Sequence, residues 1–597
     1  MLAQAQAVGL TEILVVLIYL MLVVFLGWLG YSRTKTATDY LLAGRKTHPF
    51  VMAMSYGATF ISTSAIVGFG GVAGLFGMSV LWLTFLNIFV GIFIAFVFLA
   101  PSARRMGHRL DAHTFPELLA RRFDSKFIQI FAGLVIFLFI PLYAAAVLIG
   151  GCEFISTQFG IDYNVALLVF SIIIAAYVVM GGLKGVMYSD ALQGSIMFIG
   201  MLTLLIFTYS KLGGITAAHK SLGDLATMVP GKLQAMGHRG WTAMPAFGFG
   251  DAKYDLWWIV ISTISLGVGI GVLAQPQLVV RFMTVKSTRE LNRAVVVGGV
   301  FILIMTGVAF TVGSLSNAYF AQQGPTLTGR VAKTIDESKG QAVLQIMKKN
   351  EAGEWGDVEG KMAPVVLFDG ELDKSAREAG VVTGRSISIV YAKGNSDQII
   401  PTYITSAMPK WFGLLFLLTL LAAAMSTLSS QFHTVGTSIG RDVYEQVTGR
   451  HGKSLSINRA GVLIGIVIAM LWSYYARGGY IIARATAIFF GLCASAFLPA
   501  FVGGLFWKRM TKSAAIYSMV AGFAVTAFWL LFIKAKEAGS IGLVVKLTGK
   551  PSLLADHPNW PVVDPIVVAL PVSIIIAIVV TLLTTPPPKE QIDKCFK

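Results

Sequence analysis

The sequence predicts an all-α integral membrane protein of about thirteen transmembrane helices, built around two five-helix blocks of opposite topology. Three observations predict it. The 597 residues are 55% hydrophobic and only 13% charged, with a mean hydropathy of +0.73. Soluble domains carry about a quarter charged residues, so this chain lacks the charge to cover the surfaces of the several soluble domains its length would demand. Thirteen stretches come close to the ~20 apolar residues that a membrane helix needs. Glycine, at 62 of 597, exceeds the usual ~7%, as suits close helix packing and broken helices in a bilayer. Alternating ten-residue segments are missing, which excludes an outer-membrane barrel.

In chain order the helices, numbered 0 to 12, run near 11–31, 50–77, 79–101, 127–149, 163–182, 187–210, 256–277, 294–317, 411–440, 459–476, 480–506, 514–534 and 563–585. Residues 1–45 hold helix 0 and the first inside loop, and 46–210 hold helices 1–5. An outside loop fills 211–255. Helices 6 and 7 lie in 256–317, an outside insertion in 318–400, and helices 8–10 in 401–510. Helices 11 and 12 and a short tail occupy 511–597. Met1–Gln6 lack a basic n-region and the first apolar run continues to Trp28, so a membrane helix is expected there and a cleavable signal is not.

Basic residues set the orientation. With the N-terminus outside, the inside loops collect 25 of the 47 Lys and Arg residues, among them Arg104, Arg105, Arg121, Arg122, Lys184, Arg281, Arg289, Arg441, Arg450, Lys508 and Arg509. The net charge of +17 is then a topology signal spread over many loops. A nucleic-acid footprint would cluster on one soluble face. Helix 1 runs from inside to outside and helix 6 from outside to inside, so helices 1–5 and 6–10 form blocks of inverted topology, the signature of secondary transporters. The heads of both blocks are unusual. Helix 1 contains Ser62-Thr63-Ser64 and then Gly68, Gly70, Gly71, Gly74 and Gly77; helix 6 contains Gly267, Gly269, Gly271 and Pro276. Such residues at matching places point to discontinuous helices flanking a central site; tight packing is the other use of the glycines.

Residues 318–400 differ in kind, with 11 acidic and 10 basic residues and no spanning run. The alternation in Ser386–Tyr391 suggests a strand and Gln341–Lys349 suggests a helix. The expectation is a small outside subdomain or an elaborated loop, a passive insertion tolerated at the surface.

The most informative stretch is Leu421–Gln431, LAAAMSTLSSQ, in helix 8. On a helix the Ala423 carbonyl lies beside the side chains three and four residues on, Ser426 and Thr427. If an unwound helix 1 adds the carbonyls of Ala58 and Ile61, five neutral oxygens surround one spot. Neutral oxygens suit a monovalent cation that must bind and then leave, where a carboxylate cage would hold a divalent ion. The other reading is that each hydroxyl bonds back to a carbonyl one turn earlier.

LAAAMSTLSSQ strongly resembles the helix 8 motif of the sodium:solute symporter family, which includes bacterial proline, sugar, sialate, pantothenate and monocarboxylate symporters. Gly57-Ala58-Thr59-Phe60-Ile61-Ser62 resembles the family's first broken helix. Thr114-Phe115-Pro116-Glu117 with Arg121-Arg122-Phe123 resembles its helix 2–3 loop. Gly181-Gly182-Leu183-Lys184-Gly185-Val186 with Ser189-Asp190 and Gln193 resembles its helix 4–5 signature. Gln275-Pro276-Gln277 through Arg281-Phe282-Met283 and Lys286-Ser287 resembles the end of helix 6, and Ile400-Pro401 through Met408-Pro409 and Trp411 the entry to helix 8. The matches keep their order from about residue 40 to 445.

The resemblance implies a leucine-transporter-like inverted-repeat fold, symport with sodium as coupling ion, and a sodium site at Ala58, Ile61, Ala423, Ser426 and Thr427. It gives Ser189 and Asp190 a place on the sodium path; the alternative for Asp190 is an interfacial acid paired with Lys184. It places substrate between helices 1, 3, 6, 8 and 10, where Ser62, Thr63, Ser64, Tyr143 and Gln275 are the candidates. The sugar transporters of the family carry an aromatic pair on helix 6, where this chain has Gly271-Val272. A carboxylate, either a monocarboxylate or an amino acid such as proline, fits the hydroxyl cluster and half-helix N-terminus better. Arg484 is read as snorkelling to the interface, His433 as structural, and Cys152, Cys493 and Cys595 as unpaired.

The expected function is sodium-coupled symport by alternating access in a bacterial-type inner membrane, with the N-terminus outside and the C-terminus cytoplasmic. The partners are a small solute, sodium and the bilayer, with no nucleic acid and no obligate protein partner. No cofactor and no enzymatic reaction are expected, since the sequence shows no zinc-ligand cluster, nucleotide loop or triad context. The rival is a membrane sensor. Pro586–Lys597 leaves no room for an output domain, so a sensor would need a separate signalling partner.

Overall fold

The computed structural model describes residues 10–32, 36–180, 183–350, 353–450 and 454–597. The Gly181-Gly182 pair and the loop residues Arg33, Lys35 and Lys453 lie outside these. Eleven of the described helices are long and apolar enough to cross a membrane, and the bent pair Pro49–Phe60 and Ser64–Phe76 raises this to twelve. Tyr163–Met180, helix 4, carries a shorter apolar stretch. Large apolar side chains such as Leu17, Phe25, Phe85, Phe89, Ile172 and Ile575 face outward, as lipid-facing helices require. Helix 0, Leu10–Ser32, packs at the periphery against helices 4, 5 and 8.

Both block-heading helices are broken. Helix 1 starts at Pro49, whose fixed φ suits a first helical position. His48 caps it by accepting the Phe50 N–H. It stops at Phe60, Ile61 turns extended (φ −89°, ψ 105°), and a second half resumes at Ser64, bent by 54°. Helix 6 loses α geometry over Ile259–Val268, tightens at Val272–Ala274, and breaks at an extended Gln275 (φ −70°, ψ 115°) before Pro276–Phe282. Pro276 pushes the residue before it away from the helical region. The second half of helix 1 lies so close to helix 7, Thr288–Gln323, that a Cβ on Gly313 would sit 1.9 Å from the Gly70 carbonyl.

Helix 8 is the central post. Lys410–Thr437 continues as a wider turn through Tyr444 and packs against helices 1, 3, 5 and 9. Its middle, Leu420–Phe432, is buried on every face, which explains why a plain amphipathic period is missing there.

The insertion after helix 7 differs from expectation. Four antiparallel strands, β1 Leu327–Asp336, β2 Gln341–Lys349, β3 Trp355–Phe368 and β4 Val382–Ser386, close into a small barrel. Gln341–Lys349 is therefore a strand and no helix. It pairs with β1 on one side and β3 on the other, and buries Leu344 against Ala363 and Val365. Conversely, the alternating Ser386–Tyr391 ends a strand and starts the short helix Ser388–Tyr391. Asn317 Oδ1 at the end of helix 7 accepts from both the N–H (3.1 Å) and the hydroxyl (2.7 Å) of Ser388, and that local anchor overrides the alternation.

Candidate sodium and substrate sites

The break in helix 1 faces the middle of helix 8. Ser426 Oγ lies 2.9 Å from the Ala58 carbonyl and 3.1 Å from the Ala423 carbonyl. Thr427 Oγ1 lies 3.3 Å from the Ala58 carbonyl and 3.1 Å from the Thr59 carbonyl. All of these residues are buried. The structure thus brings together Ala58, Ala423, Ser426 and Thr427. Ile61 stands at the break itself and lines the central cavity. Thr59, whose carbonyl joins the cluster, was not among the candidates, although it follows Ala58 directly where the helix ends. Only Ser426 bonds back within its own helix here; both hydroxyls also reach across to helix 1. A hydroxyl rotor can turn its hydrogen away and present a lone pair, so the same oxygens that bond to each other can surround a monovalent cation.

Asp190 is not interfacial. Its carboxylate is fully buried and lies 3.1 Å from the Arg281 guanidinium. Ser55 donates to it at 2.6 Å and Thr59 at 3.5 Å. Lys184 instead reaches Asp39, at 3.8 Å. Arg281, counted from sequence as an inside-loop charge, is likewise buried. The half-helix Pro276–Phe282 has not yet reached the surface at that point. Arg281 also donates to Ser55 (2.9 Å), Thr59 Oγ1 (2.5 Å) and Ser430 Oγ (2.6 Å). A buried ion pair of this kind costs desolvation and is held by such added hydrogen bonds. It welds helices 1, 5, 6 and 8 directly beside the Ser426–Thr427 cluster. Ser189 points back to its own helix, with its hydroxyl 2.9 Å from the Val186 carbonyl.

Of the substrate candidates, Ser62, Ser64 and Tyr143 share one cavity with Asn87, Thr486 and Phe490. Thr63 is turned away and donates to the Val147 carbonyl of helix 3 at 2.6 Å. Gln275 is also absent from this cavity: its Oε1 accepts from Gln277 at 2.8 Å and its Nε2 has no partner. The cavity holds about 20 Å³, room for about one water, so a solute enters only when the surrounding helices part. The aromatic surface absent from helix 6 comes from helix 10. Gly271 lets the backbone of Phe490 approach, where a Cβ would meet its carbonyl at 2.4 Å, and the Phe490 ring stands edge-on to Tyr143 at 5.2 Å.

Charged clusters tie the two ends. At one, Thr114 caps the helix Phe115–Phe123, and buried Glu117 contacts Arg121 (2.6 Å) and Arg441 (3.1 Å). Burial pushes its carboxyl up, but hydrogen bonds from His113 and Arg441 outweigh this and hold it well below the usual carboxylate range. At the other, Glu153 of helix 3 meets Arg477 at 3.2 Å and Gln398 at 3.1 Å. Asp397 lies buried nearby, and burial and the Glu153 charge push its carboxyl up to about 7. Arg484 does not snorkel: it pairs with Glu537 at 2.7 Å. His433 packs against the Tyr40 ring at 5.3 Å, and the three cysteines are free and buried.

The chain matches the family model described as the sodium:solute symporter family over residues 40–351 and 377–522. It is 27% identical to the osmoregulated proline transporter OpuE of Bacillus subtilis over 87% of this chain and 89% of that protein. It is 26% identical to the high-affinity proline transporter PutP of the same organism, over 84% and 89%. Its fold superposes on a Na+-coupled sialic acid symporter solved in a substrate-bound outward-open state, with a TM-score of 0.66, 17% identity and coverage of 97% and 98%. With broken helices heading both blocks and the helix 8 hydroxyls set against the first break, this chain belongs to the sodium:solute symporter family and has its leucine-transporter-like fold.

Proposed function

We propose that this protein carries proline, or a closely similar small amino acid, into the cell together with sodium. The observation that carries the reading is the convergence of the Ser426 and Thr427 hydroxyls on the carbonyls freed at the helix 1 break. Sodium there would join helix 1 to helix 8 and order the break. The neighbouring Ser62, Ser64 and Tyr143 would then take the solute's carboxylate and body between helices 1 and 10. Because both ligands favour the same arrangement of the two blocks, each raises the affinity for the other by the same factor. The proline preference draws on the relatives' substrate and on Gly271-Val272, which leaves helix 6 without an aromatic pair.

In this reading the N-terminus is outside and the C-terminus in the cytoplasm of a bacterial inner membrane, which the distribution of basic residues among the loops supports. Ser189 and Asp190 belong to the sodium route in this reading, with Asp190 acting through Arg281. The test is uptake of labelled proline, other amino acids and monocarboxylates into proteoliposomes. Accumulation of proline against its gradient only when sodium is supplied is the expected result. Sodium-driven uptake of a monocarboxylate alone would reassign the substrate, and binding without accumulation would favour a sensor.

A further inference from the structure

Helix 8 carries an oxygen side chain at every fourth position from the helix 1 break to its far end: Ser426, Ser430, Thr434, Ser438 and Asp442. Residues four apart share a helix face. The upper members are engaged. Ser426 faces Ala58, and Ser430 donates to the Ser426 carbonyl at 3.0 Å while accepting from Arg281 at 2.6 Å. Below Arg281 lies a second cavity of about 20 Å³, lined by Ser430, Thr434, Ser438 and Asp442 together with Arg281 and Thr114.

Asp442 is completely buried. Its Oδ1 accepts from Thr114 (2.7 Å) and Gln129 (2.9 Å), yet its Oδ2 has no partner, and neither has the Ser438 hydroxyl. Among the described residues Asp442 forms no salt bridge, because the adjacent Arg441 is turned to Glu117. A buried carboxylate oxygen left unpaired is costly, and the cavity it borders is the size of one water or one bare small ion.

We infer that Asp442 and Ser438 form a second, transient site for a monovalent cation, the last stop for sodium leaving along this face of helix 8. Arg281 is the plug between that site and the helix 1 break. The inference rests on the symport reading and on the inside placement of this end. When Arg281 and Asp190 shift, an ion freed from Ser426 and Thr427 meets Ser430 and Thr434 and then the Asp442 carboxylate, from which water removes it.

The experiment measures half-saturating sodium separately on each face, using proteoliposomes of one orientation and labelled proline in influx and efflux. Asp442→Asn keeps an acceptor for Thr114 and Gln129 but removes the charge; Ser438→Ala removes one oxygen and serves alone if the first variant folds poorly. The expected result is a rise of about tenfold in half-saturating sodium on the inside face for Asp442→Asn and about threefold for Ser438→Ala, with outside values within twofold of the parent. Parent-like inside values in the folded variants, or equal rises on both faces, would overturn the inference while leaving symport intact. A parent that moves no solute with sodium would overturn both.

Discussion

The two broken helices answer the same topological demand and end in different chemistry. At the helix 1 break the neighbouring helix supplies hydroxyls, and three carbonyls and two hydroxyls gather within hydrogen-bond distance of one another. At the helix 6 break Gln275 faces Gln277, and Nε2 of one and Oε1 of the other have no partner. Inverted topology thus supplies two breaks. What marks one of them as the proposed ion site is the oxygen pattern of the helix set against it. Charge follows the same division. The Asp190–Arg281 pair stands beside the first break, and the freed end of helix 6 contributes the arginine.

The largest expected effect comes from breaking that pair. Asp190→Asn leaves the buried Arg281 charge uncompensated, which costs about 3–5 kcal/mol. A marked fall in thermal midpoint of the purified protein checks it, and the double variant Asp190→Asn with Arg281→Gln should recover part of the loss. An unchanged midpoint for the single variant would mean that the pair does not clamp the helix 1 side. Next comes Thr427→Ala. It removes one oxygen from the first break, and a lost polar contact of about 1–1.5 kcal/mol predicts a rise of about fivefold to tenfold in the sodium needed for half-maximal uptake.

At the end opposite the Glu117 cluster, Asp397 sharpens the contrast between the charged rims and the neutral break. Its carboxyl sits at about 7 when buried beside Glu153, with Arg477 and Arg484 as the nearby cations. A folded-state value raised above the ordinary carboxylate range means that its contribution to the packed state is full at low pH and is lost as pH rises through about 7. From pH 6 to 8, opening of the 396–398 segment should increase about tenfold. The check is the ratio of Ser396→Cys modification rates in the Asp397 and Asp397→Asn backgrounds, in which the thiol's own pH dependence cancels. A ratio flat across that range would contradict it. The smallest effect belongs to the second break: Gln275→Ala should change half-saturating sodium by less than about twofold in the same uptake assay.

Most of the helices were legible because a bilayer demands long apolar runs, and the breaks were legible because Ser, Gly and Pro weaken a helix in recognisable places. The convergence of Ser426 and Thr427 on Ala58 followed from helical spacing together with the family motif. Three things were hidden, each set by distant packing. Arg281 looked like a loop charge because sequence gives no depth, although its partner Asp190 lies 91 positions away. Phe490 was overlooked because the aromatic lining moved from helix 6 to helix 10, with only Gly271 as a sign of close approach. The insertion misled in both directions: β2 gains its strand form from pairing on two sides, and Ser388 is held in a helical turn by Asn317.

The central claim is that sodium binds at the helix 1 break through the helix 8 hydroxyls. Equilibrium binding of 22Na+ to the purified protein tests it most directly, with the parent compared to the double variant Ser426→Ala and Thr427→Ala. Alanine preserves the helix, and losing two hydroxyl ligands at about 1 kcal/mol or more each predicts an affinity lower by at least about tenfold. Sodium binding by a folded double variant at the parent's affinity would contradict the account, and the two hydroxyls would then serve only to pack helix 8 against helix 1.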